Sequence, residues 1–581
     1  MRSSAFALSA AFVLAFLSTA RADIAGDCAA WRKAHGVREA LPTVCLAEND
    51  KLEPPLFDNI GATARELYLG DPDIQKYFNQ GLRFFYAANP REAYRAFRYA
   101  ADLGNKRGKP CGYCYWGIGA ALSVAPGSFL PPEPDRLAAR AALLNALTIF
   151  KPEQVDGRGL VNALLTRTED CKPEDRCDQK REKEYYAFVK PLVTRSIPDS
   201  EVAVLYADAA LATTRLERLE DARKELKRAM AAPFGVNNTG LVAWYLLVME
   251  ASGLYGDAEP VADKLRTMAP GAGYLLHLPS RTYYLLGKLA KAQAANTEAA
   301  DADLNYFNDP RNPIGHPSGD AYRYGAYLHT RHFLIAAALQ NGNKEAVEVY
   351  AGKLLAALPR EADAYGRDFH LAMYLLGRTP VATPEQIRLF YKPVADKQPL
   401  ANIAYYFAQT RADYWTGETE SPNLKLLDEA VSAYPDKTKC PDEFNDFPTE
   451  RCLVEMMSDL AHAYEAAAKK NWKAALTKAQ TAAEIQRRMR DGLPGVWVLP
   501  ASQTLASFYI QAALGEPTPP QDYLKKAQEL LYGTLNTVPS NGWAYFGLWQ
   551  VALHIKDGKP ADAEKAFRAQ WVGAPPKLDH L

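Results

Sequence analysis

From about Asp73 to the end of the chain, apolar residues recur at intervals of three and four. Gly or Pro closes most of these runs. That period is the signature of amphipathic α-helices. No strictly alternating run and no two-residue hairpin signal competes with it. The pattern predicts an all-α chain.

One local phrase returns along the sequence. A helix ends in a short polar turn, often with Gly or Asn, and a second helix follows with an Ala four or five positions on. Instances are Asn89-Pro90-Arg91-Glu92-Ala93, Leu219-Glu220-Asp221-Ala222, Tyr255-Gly256-Asp257-Ala258, Gly287-Lys288 leading to Ala292, Gly342-Asn343-Lys344-Glu345-Ala346 and Gly558-Lys559-Pro560-Ala561-Asp562-Ala563. A small residue there lets two helices approach. A large residue one turn later, as in Ala93/Phe97 and Ala563/Phe567, fills the groove between them.

Ala222 to Ala258 is 36 residues and Ala258 to Ala292 is 34. Thirty-four is the tetratricopeptide period. Ala292 to Ala346 is 54, one repeat plus 20. The surplus falls on residues 301–320, rich in Asp, Asn, Pro and Gly, which reads as an insertion loop. The predicted architecture is therefore a right-handed α-solenoid of tetratricopeptide-like hairpins with irregular insertions. Residues 71–300 form one array, 301–320 the loop, and 321–581 the continuation. Residues 23–70 form an N-terminal cap. Irregular stretches at 126–135, 301–320 and 435–450 would mark bends. Such an array usually offers a concave surface to a protein or peptide segment.

Residues 1–22 read as a secretory signal. Arg2 gives a positive start, Ala5 to Leu17 an apolar run, and Ala20-Arg21-Ala22 a small-x-small cleavage site. The expected mature start is Asp23, and the expected location is periplasmic or secreted. No later segment is apolar for 18 residues, so a membrane-spanning helix is not expected.

Composition excludes little else. Lys+Arg and Asp+Glu both number 68, so no net charge points to nucleic acid. No G-x-S-x-G, H-E-x-x-H, P-loop or dinucleotide fingerprint is present. Binding is expected ahead of catalysis, and no catalytic residue is assigned.

The eight cysteines fall into sequence-local pairs: Cys28 with Cys45, Cys111 with Cys114, Cys171 with Cys177, and Cys440 with Cys452. An even count in an exported chain favours disulfides, although eight cysteines allow 105 pairings. Cys111-x-x-Cys114 also admits a metal-ligand pair or a redox couple. However, no thioredoxin-like βαβ context surrounds it, and Tyr115 stands where a c-type haem site needs His.

Phe78-Asn79-Gln80-Gly81-Leu82 comes first in a longer ordered series. Cys111 to Gly117 follows, reading C-G-Y-C-Y-W-G. Then come Met249-Glu250-Ala251, Ala269 to Gly273, His277-Leu278-Pro279-Ser280, His329-Thr330-Arg331-His332-Phe333 and Asn541-Gly542-Trp543. The series resembles a group of secreted bacterial tetratricopeptide proteins. Their members show C-x-x-C-Y-W-G, H-x-x-x-H-x-x-E, G-A-G-x-x-x-H-M-P-S-H and H-N-x-H-F. The resemblance covers about Asp71 to Gly573. It implies a fold and candidate positions rather than a reaction.

Read chemically, the family pattern suggests a metal site, because histidines three or four apart share a helix face. The positions this chain keeps are Cys111, Cys114, Glu250, His277, His329 and His332, with copper or zinc as the expected ion. Ala243, Leu247 and Arg281 replace three family-type ligand positions. His316 and His370 are spare candidates.

A second set suits an anionic ligand or peptide: Arg281, Tyr284, Arg323, Tyr327 and Arg331. Tyr283, Tyr322 and Tyr324 lie in the same region, where inter-helix packing is the competing explanation. The leading expectation is an exported scaffold that binds a protein segment or small ligand. The alternatives are a copper or zinc protein for sequestration or delivery, and a metal-dependent enzyme built on the solenoid.

Overall fold

The structure is a computed structural model. It describes residues 24–47, 53–124, 131–170, 177–194, 198–213, 215–311, 316–317, 319–440, 450–489, 495 and 497–581. The expected signal segment 1–22 and the expected pairing of Cys171 with Cys177 lie outside the described residues. So do parts of the three proposed bends, at 126–130, 312–315, 318 and 441–449.

The regular elements of the described residues are all helices, with no β-strand, and the chain forms two compact units. The first comprises residues 1–279 and 301–322, and the second residues 280–300 and 323–581. In both, helices pack on their sequence neighbours and repeatedly on the next but one. Pro72–Tyr86, Pro90–Lys106 and Gly112–Ser123 form one such trio, and Tyr327–Gln340, Lys344–Ala357 and Arg367–Arg378 another. This is the stacking that repeat arrays use to bury faces which no single hairpin covers.

The repeated phrase has a physical basis. Asn89 and Asn343 cap their helices by accepting from the N–H of Glu92 (3.3 Å) and Ala346 (3.1 Å). Capping satisfies one of the amides that a helix start leaves open. Ala93, Ala222, Ala258 and Ala292 are buried, and so are Phe97 and Phe567. Ala346 and Ala563 are half-exposed. After Asn343, the buried position moves one residue on, to Val347.

The groove that Phe97 fills is made by glycine. A Cβ on Gly81 or on Gly117 would lie 2.5 Å from the Phe97 ring. Gly81 and Gly117 belong to two of the sequence motifs, so both have a packing reason to be there.

Residues 53–70 are largely non-helical, and helix Pro72–Tyr86 supplies their hydrogen bonds. The Gln80 side chain accepts from Phe57 N (2.9 Å), and Gln75 accepts from Leu67 N (2.9 Å). Ahead of them, the Cys28–Cys45 disulfide ties helix Ile24–His35 to the short helix Thr43–Ala47. Buried Asp135 accepts from the N–H groups of Thr43 and Val44, both at 2.7 Å.

Neither unit is a simple open stack. In the first, Thr239–Ala251 returns to pack on Pro72–Tyr86, with Tyr86 against Gly240 and Trp244. In the second, Trp543 Nε1 donates to Leu339 O (2.7 Å), and Val572 N donates to Asn341 O (2.9 Å).

Residues 301–307, expected to begin an insertion loop, instead continue helix Leu289–Phe307. Ala299 and Ala300 are buried and the apolar periodicity persists to Phe307, so the helix runs on before the Asp- and Pro-rich stretch ends it. No helix among the described residues is long and apolar enough to cross a membrane.

Candidate functional site

Cys111 caps helix Gly112–Ser123, its sulfur accepting from Cys114 N at 3.1 Å. The two sulfurs are bonded to each other, and both residues are buried. A metal needs thiolates, so this pair offers no ligand while oxidised. Cys28–Cys45 and Cys440–Cys452 are also disulfides.

The expected metal set is not assembled. Among the described residues, no group of three His, Cys, Asp or Glu side chains is placed to share an ion. Glu250 is half-exposed on Thr239–Ala251, and His277 is buried in Gly273–Leu285. His329 is half-buried on Tyr327–Gln340. His332, one turn on, is fully buried. Its neighbour is His370 of Arg367–Arg378 rather than a cysteine. His332 Nε2 and His370 Nδ1 make no hydrogen bond. Burial lowers His332 to about 4. Burial, and then the proximity of His332, lowers His370 to about 3. His316, the other spare candidate, is held by Asp320 Oδ2 at 3.0 Å.

The ligand set divides similarly. Tyr284, Tyr327 and Arg331 are buried, and their polar atoms are used internally. The Tyr284 hydroxyl accepts from Gln340 Nε2 (2.9 Å), and the Tyr327 hydroxyl from Arg331 Nη2 (2.8 Å). Arg281 and Arg323 are half-buried, and Arg323 lies over the Tyr324 ring at 5.7 Å. The Tyr284–Gln340 contact joins two helices, whereas the Tyr327–Arg331 contact lies within one.

An open groove of about 440 Å³ lies elsewhere in the second unit. One wall is the turn Gly287-Lys288 and the first turn of helix Leu289–Phe307. The other is the stretch Ala569–Val572, with Asn341 between. Gly287 sits at φ 71°, a left-handed conformation that glycine takes without strain. The chain therefore reverses tightly between Gly273–Leu285 and Leu289–Phe307, and Lys288 N donates to Tyr283 O at 2.7 Å. Opposite, Trp571 is extended (φ −118°, ψ 139°). Its ring covers Gly342, where a Cβ would come within 2.3 Å.

Basic residues border the groove. Its lining includes Lys288 and Lys291 and no acidic residue. Lys291 Nζ is held 5.1 Å from the Tyr283 ring centroid. The first-turn amides of a helix lack intrahelical acceptors, and the helix dipole favours negative charge there. In the sequence, Gly287-Lys288 stands out only as a repeat turn. The opposite wall is far away along the chain, so local pattern carries no signal of the groove.

No family model matches this chain, and no curated protein does. Among solved structures the chain is similar to one titled "Crystal structure of Ypp1", at 11% identity over 87% of this chain and 88% of that chain, with a TM-score of 0.28. A superposition that loose carries no argument.

Proposed function

We propose that the protein is an exported binding scaffold of tetratricopeptide type, and that the groove between Gly287–Lys291 and Ala569–Val572 receives an extended acidic segment of a protein partner. The observation that carries this reading is the make-up of the groove's lining. Two lysines and a helix start face a cleft of about 440 Å³ without a carboxylate in its lining. The volume falls in the range of ordinary ligand sites. The rigid wall pinned through Val572 and Asn341 suits an extended chain. Export is supported by the three disulfides, which persist in oxidising compartments.

The test is fluorescence anisotropy with labelled acidic and matched neutral peptides. Salt-sensitive binding of the acidic set, weakened at least tenfold in Lys288→Glu/Lys291→Glu, supports the reading. Equal affinity of the variant ends it. N-terminal sequencing of exported protein tests the start at Asp23.

The second reading is a copper or zinc protein. What favours it is the pair of buried imidazoles at His332 and His370, each with a ring nitrogen that makes no hydrogen bond. Two nitrogens fall short of the three or four ligands of a zinc site. Elemental analysis of protein from its native compartment decides, beside a Cys111→Ser/His277→Ala/His332→Ala variant and a His332→Ala/His370→Ala variant. Metal near one equivalent, lost in a variant, supports this reading and reopens a metal-dependent enzyme. Background metal after reduction and reloading removes it.

A further inference from the structure

Gly271 lies in the turn between helices Glu259–Met268 and Gly273–Leu285. The Asn59 carboxamide occupies the place where a Cβ on Gly271 would stand, its nearest atoms at 2.3 Å. Gly271 N also donates to Asn59 O at 2.8 Å. Asn59 is thus seated on the turn by its main chain and by its side chain.

Asn59 borders a cleft of about 90 Å³ in the first unit. Ile60, Pro270 and Ala302 supply an apolar part of the lining, and Asn305, Asp309 and Arg311 join Asn59 in the polar part. At roughly 15 Å³ for a water, the space holds about six of them, or a piece of ligand of that size.

The chemistry of the lining narrows the ligand. Asp309 and Arg311 are its only charged side chains, and they pair with each other. Arg311 Nε donates to Asp309 Oδ1 at 3.0 Å, and Nη2 donates to Oδ2 at 2.7 Å. The two charges cancel, so a charged ligand would find no free counter-charge. Asn59 and Asn305 differ. Both are exposed, and their side-chain amides make no hydrogen bond among the described residues. A carboxamide offers two donors and an acceptor oxygen, and a hydroxyl is donor and acceptor at once.

We infer that this cleft binds a neutral polyhydroxyl ligand, the terminal ring of a sugar. Asn59 and Asn305 bond its hydroxyls, and the side formed by Ile60, Pro270 and Ala302 meets its C–H face. Only the edge of the ring enters, because the space holds about six heavy atoms. The site is separate from the groove at Lys288 and does not depend on it.

The test is saturation-transfer-difference NMR on the full-length chain. The neutral probes are methyl glucoside, methyl mannoside and methyl galactoside. The charged probes are glucuronate and glucosamine, and N-acetylglycinamide stands for a peptide. At least one neutral glycoside is expected to give a saturable signal. Asn59→Leu/Asn305→Leu is expected to weaken that binding by about tenfold or more, since two hydrogen-bonding amides are lost. No saturable signal from any neutral glycoside, or equal binding by the variant, overturns the site. Tighter binding of glucuronate, glucosamine or N-acetylglycinamide than of every neutral glycoside overturns the sugar assignment.

A second readout needs no variant. Hydrogen exchange of the wild-type chain, with and without the bound glycoside, should slow in peptides covering residues 57–60 and 302–311. Unchanged exchange in both segments refutes the inference even if the double variant does not fold.

Discussion

The Phe97 ring lies where Gly117 has no side chain, and a Cβ on Gly117 would come within 2.5 Å of it. Gly81 faces the same ring at the same distance. Three consecutive helices are thus locked by one aromatic between two glycines. Gly117→Ala is expected to destabilise the first unit by about 1–3 kcal/mol through overpacking. Phe97→Leu in the same chain should recover part of that loss, because contacting sites are non-additive. Urea unfolding of the two single variants and the double variant measures the coupling. Strict additivity would contradict the packing described.

Asp135 ties the N-terminal segment to the array through the amides of Thr43 and Val44. Burial raises its carboxyl to about 6 from 3.8, against those two hydrogen bonds. The folded state therefore holds a proton that the unfolded chain has released. The stability this gives is fully present below pH 3.8 and is lost as pH rises through 6. The loss is on the order of 2–3 kcal/mol, since a tenfold difference in proton affinity between the two states is worth about 1.4 kcal/mol. Asp135→Asn should flatten that part of the pH–stability curve between about pH 4 and 7, as read from denaturant midpoints. Parallel curves for the two proteins would show that Asp135 is not responsible.

The Cys28–Cys45 disulfide closes a 17-residue separation on the same segment. Cross-linking a loop of that length stabilises by about 3 kcal/mol in the chain-entropy account. In Cys28→Ser/Cys45→Ser, limited proteolysis is expected to cut within residues 24–47 first, leaving the helical array from Pro72 resistant. Cleavage beginning in the array would show that the cap protects more than itself.

Helix pairing is legible in the sequence wherever its cause is local. Asn89 and Asn343 cap helices three residues on, and Ala93, Ala222, Ala258 and Ala292 sit in the narrow gap their size suggests. Contacts between distant segments are not legible. Gly240 reads as a weak helix residue until Tyr86 is seen against it. Asp135 reads as a helix-start acid, yet it serves Thr43. The surroundings of the candidate ligands are not legible for the same reason. His332 groups with His329 because they are neighbours in sequence, but helix rotation turns His332 inward toward His370.

The buried pair His332 and His370 sets the last prediction. Both stay neutral in the folded chain, at about 4 and about 3, because burial disfavours the imidazolium, and His332 further disfavours charging His370. The unfolded chain takes up protons near pH 6.5. Their contribution is therefore complete above about pH 6.5 and is lost as pH falls through that value toward about 3–4. The second unit should then unfold in acid before its carboxylates alone would require it. His370→Leu, which keeps an apolar side chain without a titrating nitrogen, is expected to move the acid-unfolding midpoint down by about half a pH unit or more. Helical circular dichroism across about pH 7 to 3 reads the midpoint. An unchanged midpoint would mean that water or an ion already reaches the two rings and stabilises their charged form.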